Sequence, residues 1–249
     1  MEALKVEGLS KNFGGVQAVK AISFTVEAGE RLAVIGPNGT GKTTLFNLLN
    51  GQERPTSGRI YLFGQDITTM PTYSRTALGQ ARSFQFTSLF PNLTVLNNTL
   101  LAIHGTKPSR YQMFRPITSY KSLLAKTREL LEAMDLWERR DAVVKNLGYG
   151  EQRRLEVSLS LTSVPKLLLL DEPSCGLTAA ESADMITMIH NLGEEVTVVM
   201  VAHDMDLVFG LANRIIVLHY GEIIADGTLQ EIQADPKVQE IYMGVEESV

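Results

Sequence analysis

Gly36-Pro37-Asn38-Gly39-Thr40-Gly41-Lys42-Thr43 is the stretch that decides the fold. It follows a short apolar run, Arg31 to Ile35, and opens a segment, Lys42 to Asn50, with helical patterning. Strand, glycine-rich turn and helix are the context in which GxxxxGK[ST] wraps a phosphate chain. The glycines let successive backbone N–H groups converge on one anion. The helix adds the positive end of its dipole. On this reading the amides from Asn38, Gly39, Thr40 and Gly41 to Lys42, Thr43 and Thr44 bind a nucleotide's phosphates. Lys42 reaches the β- and γ-phosphates, and the Thr43 hydroxyl ligates Mg²⁺.

Downstream, Leu167-Leu168-Leu169-Leu170 delivers Asp171-Glu172 at its end. Ligands of a parallel sheet sit at the carboxyl ends of its strands. Asp171 is therefore expected beside the magnesium shell. Glu172, one residue further out, is placed to orient and deprotonate a water. Beyond Pro165 the pattern alternates: a helix over Ala179 to Leu192, a strand over Val196 to Val201, a helix over Met205 to Leu211 and a strand over Arg214 to Leu218. Such alternation predicts a parallel sheet covered on both faces. Short helical turns over Leu229 to Ile232 and Pro236 to Met243 end the chain. On the amino-terminal side, Leu4 to Leu9, Ala21 to Val26 and Gly58 to Phe63 read as strands, the last entering a turn at Gly64-Gln65-Asp66. In the middle, Thr94 to Ile103 reads as a helix capped by Thr94. His104 to Thr118 reads as an irregular loop, Ser119 to Met134 as a helix, and Gly150 to Leu161 as the last helix of a lobe. The expected fold is α/β. A P-loop NTPase core with a mainly parallel sheet carries an N-terminal antiparallel β subdomain. A helical subdomain, approximately 86–163, is inserted into one domain spanning 1–249.

The chain has 249 residues, 44% hydrophobic and 20% charged, with a net charge of −5. Those values suit a single large globular unit. No basic stripe is visible, so no nucleic acid is expected as a partner. Cys175 is the lone cysteine, which fits a reducing compartment and no intrachain disulfide. The amino terminus does not read as a signal peptide, and the apolar runs fall far short of the ~20 residues that span a bilayer. Any membrane role is expected to come through a partner.

Over nearly its full length the chain resembles the ATP-binding subunits of ABC transporters. Phe13, before Gly14-Gly15, stands where that family places an aromatic residue under the adenine. Gln85, in Ser83-Phe84-Gln85, resembles the Q-loop glutamine, which implies roles toward the metal, catalysis and the membrane partner. Asn146-Leu147-Gly148-Tyr149-Gly150-Glu151-Gln152 resembles the signature, so Gly148, Gly150 and Glu151 are implied in nucleotide contact. Ser174-Cys175-Gly176-Leu177-Thr178 resembles the D-loop, and His203 the switch histidine. Read alone, Phe13 favours a core aromatic, and His203 is compatible with a satisfied core position. Phe13 to Ala18, Leu89 to Val95 and Ile241 to Gly244 resemble the ATPases of branched-chain amino acid uptake systems.

The resemblance implies ATP and Mg²⁺ as ligands. It also implies a second ATPase subunit, more readily a different one than a copy, with permease subunits and an extracytoplasmic solute-binding protein. It places the chain peripherally on the cytoplasmic face of the inner membrane. Two ATP molecules would be sandwiched head to tail, each between one chain's phosphate loop and the other's signature. Two alternatives stay open on the sequence alone: a soluble ABC-type ATPase, or a nucleotide-gated module that hydrolyses poorly. Two positions depart from the family pattern. Gly148 stands where the signature usually has serine. Thr178 stands where the D-loop usually has an acidic or amide residue. The first removes a hydroxyl contact to the γ-phosphate and raises the expectation of unequal ATP sites. The second is expected to loosen cross-talk between them.

Overall fold

The computed structural model describes residues 1–83, 89–106 and 121–246, with side chains described through 241. Gln85 and the 107–118 part of the expected loop lie outside the described residues. Strands β1 (Glu2–Phe13) and β2 (Val16–Glu27) form a hairpin. Strand β3 (Arg31–Ile35) feeds helix α1 (Lys42–Asn50), followed by β4 (Ser57–Leu62), β5 (Gln65–Asp66), α2 (Thr72–Ala77) and β6 (Gln80–Arg82). Helices α3 (Val95–Gly105), α4 (Lys121–Ala133) and α5 (Tyr149–Leu161) come next. The chain then runs through β7 (Leu167–Asp171), α6 (Ala179–His190), β8 (Thr197–Val201), α7 (Met205–Leu211), β9 (Arg214–His219) and β10 (Glu222–Gly227). It ends in α8 (Leu229–Ala234) and α9 (Pro236–Glu246).

Two sheets result. The first is antiparallel, in the order β2-β1-β4-β5. The second runs β10-β9-β3-β8-β7-β6, parallel except for β10 at one edge. The apolar runs of β3, β7, β8 and β9 lack polar alternation because both faces are covered. Leu32, Val34, Leu167, Leu169, Val199, Val201, Ile216 and Leu218 point into one core, shared with α1 and the antiparallel sheet. Their neighbours Ala33, Ile35, Leu168, Leu170, Val198, Met200, Ile215 and Val217 point into the other, shared with α5, α6 and α7.

Among the described residues the expected helices and strands are present, several with longer bounds, and α3 continues through His104 and Gly105, where the loop was expected to begin. The β1–β2 hairpin extends past both expected strands as far as Phe13 and Val16, which pair across Gly14-Gly15. Helix α5 starts at Tyr149, one residue before the expected Gly150, because Gly148 already takes the extended N-cap conformation. Helix α2 and strands β6 and β10 were not anticipated. Each is short or edge-placed, and sequence periodicity is weak over so few residues. Thr94 caps α3 as expected, its hydroxyl accepting from the Asn97 amide at 3.1 Å.

The carboxyl end of α1 is anchored by Arg75. Its guanidinium is buried and donates to the carbonyls of Leu48 (2.9 Å), Leu49 (2.6 Å) and Met70 (2.8 Å). A cation there complements the negative end of the helix dipole. The helix that begins at Lys42 is thus fixed at its far end by a residue from α2.

Candidate nucleotide site

Val34 of β3 pairs with Val201 of β8, and Val201 pairs with Asp171 of β7. The three strands therefore release their loops side by side. Those loops begin at Gly36, Ala202 and Glu172. Gly36 and Gly41 carry φ values of 149° and 103°. A Cβ would lie 2.2 Å from the Leu218 carbonyl oxygen at Gly36, and 2.3 Å from that of Ala18 at Gly41. The loop is wedged between β2 and the β9–β10 turn, where the Gly221 amide donates to the Thr40 carbonyl at 3.0 Å. Only glycine fits at either position.

Lys42 is buried, and its ammonium donates to the carbonyls of Gly36 (2.6 Å) and Pro37 (2.8 Å). Burial lowers its pKa, and the nearby Glu172 carboxylate opposes that shift. The Thr40 hydroxyl turns inward onto the Pro37 carbonyl at 3.0 Å. Asn38, Gly39 and Thr43 are exposed and Thr44 is half-buried. The loop thus presents amides and a hydroxyl to an incoming anion while Lys42 stays close behind them.

Asp171 is 1% exposed. Its Oδ2 pairs with Arg82 Nη2 at 2.5 Å, and its Oδ1 has no hydrogen-bond partner among the described residues. A buried carboxylate oxygen left unpaired is costly unless something else binds it. Among the described residues no group of three or more His, Cys, Asp and Glu could cage a metal. Mg²⁺ does not need one, because it is usually held by one or two carboxylates together with substrate phosphates. The Asp171 Oδ1 and the exposed Thr43 hydroxyl at the start of α1 fit that donor set. Arg82 also donates to Asn47 Oδ1 (2.8 Å) and Gln52 Oε1 (2.7 Å), and so ties α1 to β7 through β6.

Glu172 has φ +47°, an uncommon conformation for a residue with a side chain. Its Oε1 lies 3.2 Å from His203 Nε2. Asp204 caps α7, accepting from the amides of Asp206 (3.0 Å) and Leu207 (3.3 Å) and from the Ser182 hydroxyl (2.8 Å). His203 is therefore delivered from a pinned turn, and its side chain is too exposed for a core position.

Phe13 is 47% exposed at the hairpin tip, with Lys11 Nζ 4.8 Å from its ring centroid. It is not a core aromatic, and its ring is accessible for stacking. Around the start of α5, Gly148 has no side chain, but its amide donates to Glu151 Oε2 at 3.0 Å. Arg139 holds the Glu151 carboxylate at 2.7 Å. Glu181, from α6, accepts from the Thr178 amide at 2.9 Å, and a Cβ on Gly150 would lie 2.3 Å from its Oε1. Thr178 caps α6, its hydroxyl donating to Glu181 at 2.8 Å, so the local turn keeps its cap. Arg82, Arg153 and Glu181 were not singled out by sequence reasoning. Arg153 and Glu156 did leave a trace: two opposite charges three apart on a helix face that also carries Gly150 and Val157.

The phosphate loop, acidic strand end and facing histidine on this α/β core define an ATP-binding cassette. The chain belongs to the ABC transporter family: the family model described as "ABC transporter" matches residues 19–175. A second model, "Branched-chain amino acid ATP-binding cassette transporter", matches residues 222–248. The chain is 36% identical over 248 residues to the "High-affinity branched-chain amino acid transport ATP-binding protein" BraF of Pseudomonas aeruginosa, with 97% of each covered. The same figures hold for LivG of Escherichia coli. A solved ADP conformation of an ATP-binding cassette of an ABC transporter superposes with TM-score 0.87 at 30% identity, covering 98% of this chain and 99% of that one. The chain is an ATPase of that family, whose ATP-binding subunits work with membrane permeases. None of its described helices is long and apolar enough to cross a membrane.

Proposed function

We propose that the chain is the ATP-hydrolysing subunit of an amino-acid importer of the branched-chain type, acting at the cytoplasmic face of the membrane. The pairing of Glu172 with His203 beside the Lys42 loop carries the hydrolytic part of this reading. The names of its relatives and the match over 222–248 support the cargo class. The helices between β6 and β7 belong to the inserted arm, approximately 86–163, and Gln85 keeps the role toward the permease that the family resemblance implies.

Phosphoryl transfer to water is mostly a problem of positioning and charge. The loop amides from Asn38 to Thr44 hold the phosphates, Lys42 stabilises the terminal charge, and Phe13 stacks on the adenine. Thr43 and Asp171, with Gln85 on the family resemblance, would hold Mg²⁺, which would supply neutralisation of the phosphate charge. Glu172 orients the attacking water and accepts its proton, and His203 steadies that carboxylate.

Gly148, Gly150 and Glu151 complete the site of a second ATPase subunit. Without a hydroxyl at Gly148 that second site is the weaker one. A different partner chain with a full signature then makes this chain's own site the competent one. A solute-binding protein outside the membrane delivers cargo to the permease.

The test is co-purification from membranes, followed by reconstitution into liposomes with Mg-ATP inside and leucine, isoleucine or valine outside with the binding protein. ATP-dependent uptake is expected. A complex that hydrolyses ATP but moves none of the three would remove the cargo assignment. Absence of any membrane permease from the purified material would remove the transport reading.

A further inference from the structure

One guanidinium holds the whole acidic turn. Arg153 lies on α5, in the first turns after Gly148, and its side chain is buried. Its Nη2 donates to the carbonyls of Asp171 (3.0 Å) and Glu172 (2.7 Å), and its Nε to that of Pro173 (3.3 Å). Three consecutive carbonyls therefore converge on one planar donor set. The charge is balanced within the same helix, where Nη1 meets Glu156 Oε2 at 2.8 Å.

The turn needs such a clamp. Glu172 sits at φ +47°, where a Cβ crowds the following carbonyl and only a determined surrounding keeps a residue in place. Its amide is fixed on the β8 side, donating to the Val201 carbonyl at 2.9 Å. On the other side Arg153 and the Cys175 amide, 3.1 Å away, take the Glu172 carbonyl. Rotation of the 172–173 peptide would break the two bonds to the Glu172 carbonyl and loosen the turn that carries the carboxylate toward His203. The clamp comes from the helix whose amino terminus carries Gly148 to Glu151.

We infer that Arg153 is a positioning residue for Glu172, setting the carboxylate's place through the turn's backbone and linking it to the orientation of α5. The inference rests on Glu172 acting on the attacking water. It predicts that Arg153 governs turnover and not nucleotide capture, because the phosphate loop hangs on β3 and α1 instead.

The experiment uses the full chain in its purified transporter complex. Arg153→Met/Glu156→Met removes both buried charges together, so neither is left unpaired. Arg153→Lys keeps the charge but cannot bridge three carbonyls with one compact ammonium. For both, kcat should fall on the order of 10–100-fold, as expected for misplacement of a reacting group by about an ångström. The KM for ATP and the affinity for a fluorescent ATP analogue should stay within about threefold, since uniform binding is untouched. In a Glu172→Gln background the same changes should cost nothing further, because groups acting as a unit are not additive. Wild-type kcat in Arg153→Lys, or an equal further loss in the Glu172→Gln background, would overturn the inference. Unchanged turnover in Glu172→Gln alone would instead remove the assignment on which it rests.

Discussion

Arg82 and Asp171, 89 residues apart in the chain, form a buried ion pair across the ends of β6 and β7. Three acceptors share the guanidinium: Asp171, Asn47 and Gln52. Breaking a buried pair from one side costs about 3–5 kcal/mol, because the remaining charge is stranded. Arg82→Met should therefore lower the melting temperature by on the order of 10 °C, at about 2–4 °C per kcal/mol for a chain of this size. Saturating Mg-ATP should recover part of that loss, since a ligand that binds only the folded state stabilises it by mass action. A variant melting within two degrees or so of wild type would show that the pair adds nothing.

Glu172→Gln is the sharpest test of hydrolysis. The amide keeps the shape and the φ +47° turn but cannot take a proton. Turnover should fall by on the order of 10²–10⁴, the usual contribution of a general base. ATP should still bind, and the ATP-bound dimer should persist on a gel-filtration column. His203→Ala should reduce kcat by a smaller factor, since it removes only the group 3.2 Å from the carboxylate. Wild-type turnover in Glu172→Gln would place the base elsewhere.

Gly148→Ser asks whether the missing hydroxyl matters. The position has room: a Cβ there meets nothing nearer than Glu151 Oε2 at 3.7 Å. Serine and glycine differ by only a few tenths of a kcal/mol at an N-cap, so the melting temperature should hardly move. In the assembled complex the serine should tighten ATP at the partner's site, where a hydrogen bond to a charged group contributes roughly 1.5–3 kcal/mol. Equilibrium ATP binding with two resolved affinities is the measurement. No change in either affinity or rate would remove the reason for expecting unequal sites.

Much of this site was legible from local pattern. The spacing of Gly36, Gly41 and Lys42, bounded by an apolar run and a helical segment, fixes a backbone shape that few residues can adopt. The same holds for Asp171-Glu172 after four leucines. The clamps around them were not legible, because each joins residues remote in sequence. Arg82 reads as an ordinary charge at the end of a short strand. Its meaning comes from the β6–β7 pairing, which registers Arg82 against Leu169. Glu181 caps α6 together with Thr178, and only the approach of α5 to α6 sets its carboxylate against Gly150. Nor does sequence show that Thr178 preserves the turn that an acidic residue makes elsewhere. Its hydroxyl simply serves as the cap.

Glu151 gives a pH signature. The Arg139 guanidinium beside it, with Nε at 2.7 Å and Nη2 at 3.2 Å, holds its carboxyl below the ordinary value of 4.5, and the Gly148 amide acts in the same sense. A carboxylate depressed in the folded state binds fewer protons there than in the unfolded chain. Stability thus rises with pH between the two values. The contribution is fully present above about 4.5 and is lost as pH falls through the folded value. Arg139 is half exposed, so solvent screening keeps the pair's contribution small. Glu151→Gln should melt below wild type at pH 7 and low salt, by at most about 2–4 °C. That gap should narrow as the pH drops below about 4.5 and should also shrink with added salt, because the pair is near the surface. A gap that stays constant from pH 7 down to acid unfolding would mean that the carboxylate's charge does no work at the start of α5.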